Sequence, residues 1–268
     1  MPLTSLQKSV INILRPFRTE HTYVGGGAAL NQNWHRLSDD MDIFYDLRNQ
    51  LPRTVEPELQ ALRDNGFNIE IVVNNDLIVE AILRKDGDET KVQWFDDPET
   101  CQRFFPALED NDFGFRLHQA DVALNKVLCA SRRRTEARDA VDLVNIIKRY
   151  APLGPLVWAL TGKEPDKTPP EIIRNIRSIA FGYSDEEIRA VRMEDGCAIS
   201  RNELREILGP ALDSAHDYCD DIAPIKHDGC LFVDANENPI EADDEALATG
   251  TATAIPIRDF TGIPVVVT

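Results

Sequence analysis

The chain has 268 residues, 43% of them apolar, and a net charge of -17. That length suits one large or two modest domains with a real core. The acidity weighs against a broad nucleic-acid-binding face, because affinity there comes mainly from neutralising phosphates. No run approaches the ~18 consecutive apolar residues that a membrane span needs.

Charge is uneven along the chain. Residues 1–150 carry 19 basic and 24 acidic side chains, and residues 151–268 carry 10 and 22. Any RNA contact would therefore use local basic patches. The five cysteines, at 101, 129, 197, 219 and 230, are scattered and never spaced Cys-x-x-Cys. That pattern argues against a disulfide framework or a structural zinc site and for a reducing, cytoplasmic setting. The opening segment lacks an apolar signal region.

Residues 4–17 predict an amphipathic helix, with Leu6, Val10, Ile13, Leu14 and Phe17 at helical spacing and Thr4 as cap. A short strand ending in Gly25-Gly26-Gly27 leads to a short helix over Ala28–Trp34 and then a strand over Met41–Tyr45. Pro57–Asn65 reads as a helix started by proline and stopped by Gly66. Phe67–Val73, Leu77–Leu83 and Thr90–Phe95 alternate or run β-branched, and the turns between them predict a three-strand meander. Helices follow at 116–130, 134–150, Pro170–Ile179, Ser184–Arg192 and Ser200–Cys219, with a Pro-rich linker at Thr161–Pro170. Ser184/Glu187 and Ser200/Glu203 have capping-box spacing. Past Asp220 a hairpin could join Leu231–Asp234 to Asn236–Ile240, while 243–246 and 249–252 read as loosely ordered. The expected fold is α+β, a small mixed sheet with helices on it and a helical C-terminal region. Its expected divisions are a core at 1–115, helices at 116–220 and an acidic tail at 221–268.

Chemistry concentrates in Tyr23–Phe44. Glycines after a strand let backbone N–H groups approach a phosphate closely. On a strand, Asp40 and Asp42 share a face. Two carboxylates near such a cradle are hard oxygen ligands for Mg²⁺ or Mn²⁺ carrying a nucleoside triphosphate, the parts of a metal-dependent phosphoryl or nucleotidyl transferase. A Rossmann loop would need a glycine at Leu30, and a haloacid-dehalogenase-type phosphatase would need Thr or Val at Phe44. Taken singly, a glycine run is a flexible turn and an Asp-x-Asp a solvated strand end; the joint spacing favours the site.

Gly25-Gly26, His35-Arg36, Ser38 and Asp40-Met-Asp42-Ile-Phe44 resemble the opening motif of the AbiEii/AbiGii nucleotidyltransferase toxins. That family includes the MenT-type tRNA-modifying toxins and belongs to the polymerase-β-like nucleotidyltransferases. The family usually has Ser or Thr where this chain has Gly27. Leu117–Lys126 and Arg134–Leu143 are similar to its later motifs, an Asp-x-Ala-x-x-Lys helix and an Arg–Arg-Asp-x-x-Asp helix. By itself Lys126 is a flexible point charge suited to a triphosphate. Asp139 and Asp142 share a helix face, and Arg138 can pair with a carboxylate or reach a phosphate. The bland alternative is a surface helix stitched by such neighbours.

The resemblance implies that Lys126 and Asp139 are catalytically needed and that Asp121 and Asp142 orient them. It also implies that Arg36 and Ser38 shape the nucleotide pocket, and Ser38 could equally stabilise the turn into the strand. Its implied substrates and partners are an NTP, a tRNA end and a cognate antitoxin protein, with no membrane. A third acid is expected on a neighbouring strand. Gln93 occupies its best positional match, with Glu70, Asp96 or Asp139 as substitutes. Arg132–Arg134 is the basic run suited to RNA or phosphate, and His21, His118, His216 and His227 have no partner at metal-ligand spacing. A nucleotide-binding module without turnover, or a transferase acting on a small molecule or protein hydroxyl, are the alternatives.

Overall fold

The computed structural model describes residues 3–32, 34–46, 51–96, 102–132 and 136–260. They fall into two compact units: the segment up to Gln119 together with that from Arg258 onward, and Ala120–Ile257.

The first unit is built on a seven-stranded mixed sheet. Its helix α1 (Ser5–Leu14) starts where Thr4 and Gln7 cap one another, each side chain accepting from the other's backbone N–H. The strands are β1 (Thr22–Gly25), β2 (Asp40–Tyr45), β3 (Asn68–Asn74), β4 (Ile78–Lys85), β5 (Asp88–Phe95), β7 (Leu108–Asp110) and β8 (Gly114–Arg116). Their order across the sheet is β3-β4-β5-β2-β1-β8-β7. The β2–β5 and β1–β8 pairs run parallel and the rest antiparallel. Between β5 and β7, the short β6 (Gln102–Arg103) pairs instead with the late β11 (Arg258–Asp259).

One sheet face is apolar. Met41, Ile43 and Tyr45 of β2, Val79, Ala81 and Leu83 of β4, and Val92 and Trp94 of β5 are buried there. The short helix α2 (Gly26–Leu30) follows β1, starting within the glycine run and ending before the expected Trp34, because the two glycines themselves take up its first turn. Helices α1 and α3 (Leu51–Asp64) pack on this sheet. Glu58 is buried among them, taking Arg18 and the Tyr45 hydroxyl on Oε1 and Trp94 Nε1 on Oε2 at 2.9 Å. Helix α3 begins before the expected Pro57, which lies inside it. The proline is tolerated because it and Arg53, whose carbonyl loses its helical donor, are both exposed. Leu51, Val55, Leu59 and Leu62 keep one buried stripe through the site.

The second unit is helical: α4 (Gln119–Arg132, entering from the first unit), α5 (Ala137–Arg149), α6 (Leu153–Lys163), α7 (Pro169–Phe181), α8 (Asp185–Arg189) and α9 (Arg201–Asp217). Helix α6 takes the front of the expected linker and leaves only 164–168 between α6 and α7. It is apolar on nearly every side, so it offers no helical period to read.

Residues 221–257 belong to this unit and contribute to its core. Phe232, Ala242 and Ala252 cluster with Trp158 and Tyr218, and the Tyr218 hydroxyl donates to Ala242 O at 3.0 Å. The expected hairpin is present in short form: an antiparallel Val233–Pro239 bridge, with Asp234 N donating to Asn238 O and Ile240 N to Phe232 O, both at 3.0 Å. Strand β9 (Leu231–Val233) also pairs with β10 (Thr253–Ile255). Residues 244–249 are helical (α10, Asp244–Thr249), where loose order was expected. Asp243 caps that helix by accepting from Ala246 N at 2.7 Å, and Gly250 ends it in the left-handed conformation. Acidic composition masked the apolar side chains that hold the segment down.

Among the described residues no helix is long and apolar enough to cross a membrane.

Candidate active site

The glycine turn and the Asp-x-Asp strand interlock. Strands β1 and β2 pair antiparallel with Gly25 opposite Asp42, so the chain leaves the sheet beside that carboxylate. Gly26 has φ +59°, a conformation that disfavours other residues. A Cβ there would lie 1.8 Å from Asp42 Oδ2. A Cβ on Gly25 would strike the Phe44 ring at 2.5 Å, and one on Gly27 would meet Arg36 Nη2 at 2.2 Å and Ser38 Oγ at 3.1 Å. Gly25, Gly26, Gly27, Arg36, Ser38 and Asp42 are therefore brought into direct contact, from positions up to 17 residues apart.

Arg36 and Ser38 are both buried. Arg36 Nη1 donates to Leu37 O at 3.0 Å. Ser38 Oγ donates to Asp40 O at 2.8 Å, and Ser38 O accepts from Gln7 Nε2 at 2.9 Å. Ser38 thus shapes the turn into β2.

Opposite the apolar face, the other sheet face carries a row of polar groups. Parallel pairing sets Asp40 beside Lys91 and Asp42 beside Gln93, and antiparallel pairing sets Gln93 beside Glu80. Lys91 Nζ lies 3.6 Å from Asp40 Oδ2 and 3.9 Å from Glu80 Oε2. Gln93 Nε2 donates to that same Glu80 oxygen at 2.5 Å. Further along, the face turns aromatic: Phe44 stacks on Phe95 at 5.2 Å and on Tyr23 at 6.1 Å.

Glu80 is the residue that sequence reasoning missed. Strand Leu77–Leu83 was legible, with Glu80 alternating against the buried Val79 and Ala81. Its place beside Gln93 depends on a strand pairing that local pattern does not encode. Of the substitutes, Glu70 lies on the edge strand β3, bound to Arg84 at 2.7 Å. Asp96 is buried just past β5.

Among the described residues no three His, Cys, Asp or Glu side chains converge as a metal group. Asp40 and Asp42 form a two-carboxylate set. Such a pair fits Mg²⁺, which keeps several waters and is held by one or two carboxylates plus substrate phosphates.

The second motif block forms a cluster of its own within the helical unit. Lys126 Nζ of α4 sits 3.0 Å from Asp139 Oδ1 and 3.0 Å from Asp142 Oδ2 of α5. Asp121 and Asp142 are fully buried, and the Lys126 side chain is 11% exposed. Arg138 pairs with Glu136. Of the basic run, Arg132 pairs with Glu164, and Arg133 and Arg134 lie outside the described residues.

Compared with family models, curated proteins and solved structures, the chain matches none.

Proposed function

We propose that the polar sheet face and its glycine turn form the nucleotide site of a metal-dependent nucleotidyltransferase. It would move an NMP from an NTP to an acceptor hydroxyl and release pyrophosphate. The observation that carries this reading is the contact between Gly26 and Asp42: one tight turn brings bare backbone and a metal-ligating carboxylate together. A triphosphate requires that pairing, with donors for its oxygens and an anchor for its cation.

The backbone of Gly25–Gly27 would cradle the phosphates, with Arg36 behind Gly27 as a fixed positive charge. Asp40 and Asp42 would hold Mg²⁺ or Mn²⁺, which when bound neutralises the triphosphate and the departing pyrophosphate. Orientation of the nucleotide against a preorganised face would supply much of the rate. The resemblance stated above supports tRNA as acceptor and a toxin role, with an antitoxin partner, in a toxin–antitoxin or phage-defence pair. It also supports a need for Lys126 and Asp139.

The test is incorporation from each α-labelled NTP, with Mg²⁺ and total bacterial tRNA, comparing wild type with Asp42→Asn. Label in RNA that disappears in the variant supports the reading and names the nucleotide. Equal labelling by both would sink the assignment of Asp42. Label on protein or on an aminoglycoside would favour a different acceptor, a reading to which the -17 net charge lends support through attraction of cationic substrates. Nucleotide binding without any product would favour a silent binding module, for which Gln93 in place of an acid is the supporting observation.

A further inference from the structure

On the half-open sheet face, the Glu80 carboxylate is held through one of its two oxygens. Among the described residues the polar contacts of Glu80 fall on Oε2: a hydrogen bond from the Gln93 amide at 2.5 Å and an ion pair with the Lys91 ammonium at 3.9 Å. The side chain is 18% exposed, so it is held yet reachable. Lys91 also touches Asp40 Oδ2 at 3.6 Å, so the Asp40 and Glu80 oxygens can be separated by no more than the sum of those two contacts. Glu80 also shares a register row with Gln93 and Asp42. Sheet stability alone does not call for this arrangement: β4 and β5 are already joined along eight residue pairs over a buried apolar face.

We infer that Glu80 is the catalytic residue that accepts the proton of the attacking hydroxyl, with Gln93 and Lys91 as positioning residues. This rests on the nucleotidyl-transfer reading above. In the step, the acceptor oxygen bonds to the α-phosphorus of the NTP while its hydrogen passes to Glu80 Oε1. The bond from the α-phosphorus to the bridging oxygen breaks, and pyrophosphate leaves with that electron pair. The Gln93 hydrogen bond orients the carboxylate through Oε2, the Lys91 charge lies nearby, and Oε1 is left for the hydroxyl. The glutamine at 93 is then no defect: the acid stands one strand over, and the amide orients it.

The experiment compares wild type, Glu80→Gln, and the exchanged pair Glu80→Gln with Gln93→Glu, which moves the acid across one strand pairing. Pyrophosphate release is measured with total tRNA, and NTP affinity by calorimetry with Mg²⁺ present. Glu80→Gln should lower turnover about 100-fold or more, the usual scale for losing a general base. It should leave the NTP Kd within about threefold, because a base acts after the nucleotide is bound. The exchanged pair should recover at least about tenfold over Glu80→Gln.

Turnover of Glu80→Gln within about threefold of wild type overturns the inference and leaves the proposed function standing. So does a parallel loss of turnover and NTP affinity, which would make Glu80 a nucleotide or folding residue. An exchanged pair no better than Glu80→Gln overturns the proton-accepting role. A wild type that binds NTP but releases no pyrophosphate fails the proposed function itself and takes this inference with it.

Discussion

Replacing Lys126 with methionine separates two accounts of the second motif block. In the structure the ammonium lies 3.0 Å from a carboxylate oxygen of both Asp139 and Asp142. Asp142 is fully buried and the side chain of Asp139 is 13% exposed. Lys126→Met keeps the length and apolar stem but leaves two neighbouring carboxylates in a low-dielectric setting. Removing one partner of a buried ion pair costs about 3–5 kcal/mol. For a chain of this size that corresponds to a fall in Tm of roughly 10 °C.

The variant should also respond to pH. Loss of the ammonium would raise the folded pKa of at least one of these buried carboxyls above the unfolded value of about 3.9. The deficit is therefore largest near neutrality and shrinks as pH falls through that raised pKa and the carboxyl takes up a proton. Urea denaturation followed by circular dichroism, at pH 7.5 and 5.0, measures both effects. Adding Asp139→Asn to Lys126→Met should restore at least half of the lost stability, because the two sites are coupled. A loss under about 1 kcal/mol, or no recovery in the double variant, would refute this account. Loss of NTP binding with stability intact would instead place Lys126 on the triphosphate.

Gly26→Ala combines a left-handed φ with a collision at Asp42, whereas Gly66→Ala has a similar φ (+81°) and nothing within 4 Å. Gly66→Ala should cost about 1–2 kcal/mol from backbone strain and Gly26→Ala distinctly more; equal costs in thermal denaturation would disprove the Gly26–Asp42 contact. Asp46→Ala removes the carboxylate that takes both terminal Arg103 nitrogens, at 2.7 and 2.8 Å, and the Tyr23 hydroxyl at 2.9 Å. Its expected cost is about 3–5 kcal/mol, read from urea midpoints, and a near-neutral result would show the pair to be dispensable. Burial, with Glu241 and Asp220 nearby, pushes the Cys219 thiol up to about 12. At pH 8.5 iodoacetamide should alkylate Cys219 at least about tenfold more slowly in the native protein than in urea, a difference peptide mass spectrometry resolves. Because the fold favours the neutral thiol, its stabilising contribution holds below the unfolded pKa of about 8.5 and fades as pH rises toward 12.

The α+β class was legible because alternation and turn residues are local signals. Phe67–Val73, Leu77–Leu83 and Thr90–Phe95 each fall within two residues of β3, β4 and β5. Strands β6, β7 and β8 span two or three residues each, too short for a period to register, and the return of Arg258–Asp259 to β6 joins positions about 155 residues apart. The site divides in the same way. Asp40 and Asp42 on one face follow from the period of two, and Asp139 with Asp142 from the helical repeat. The contacts that give those residues meaning cross between elements: Gly26 on Asp42, Lys91 between Asp40 and Glu80, Lys126 between two aspartates. Each is set by pairing register or helix packing, which side-chain patterning within one segment does not specify.

The glycine at 27 shows how such a contact changes the reading of a departure. Against the family it resembles, the chain lacks a hydroxyl on the turn, and sequence alone makes that a loss. In the structure the space beside Gly27 is filled. Arg36 Nη2 and Ser38 Oγ both lie where a side chain would have to go. A serine or threonine there would displace a buried guanidinium, so the bare backbone and Arg36 go together. Ser38 supplies a hydroxyl close by, but spends it on Asp40 O, fixing the strand that carries the carboxylates. On the proposed reading, a neutral donor on the turn has given way to a fixed cation behind it. For a triphosphate that substitution preserves attraction, since a guanidinium offers charge as well as donors. The missing hydroxyl is thus no evidence against a nucleotide at this turn.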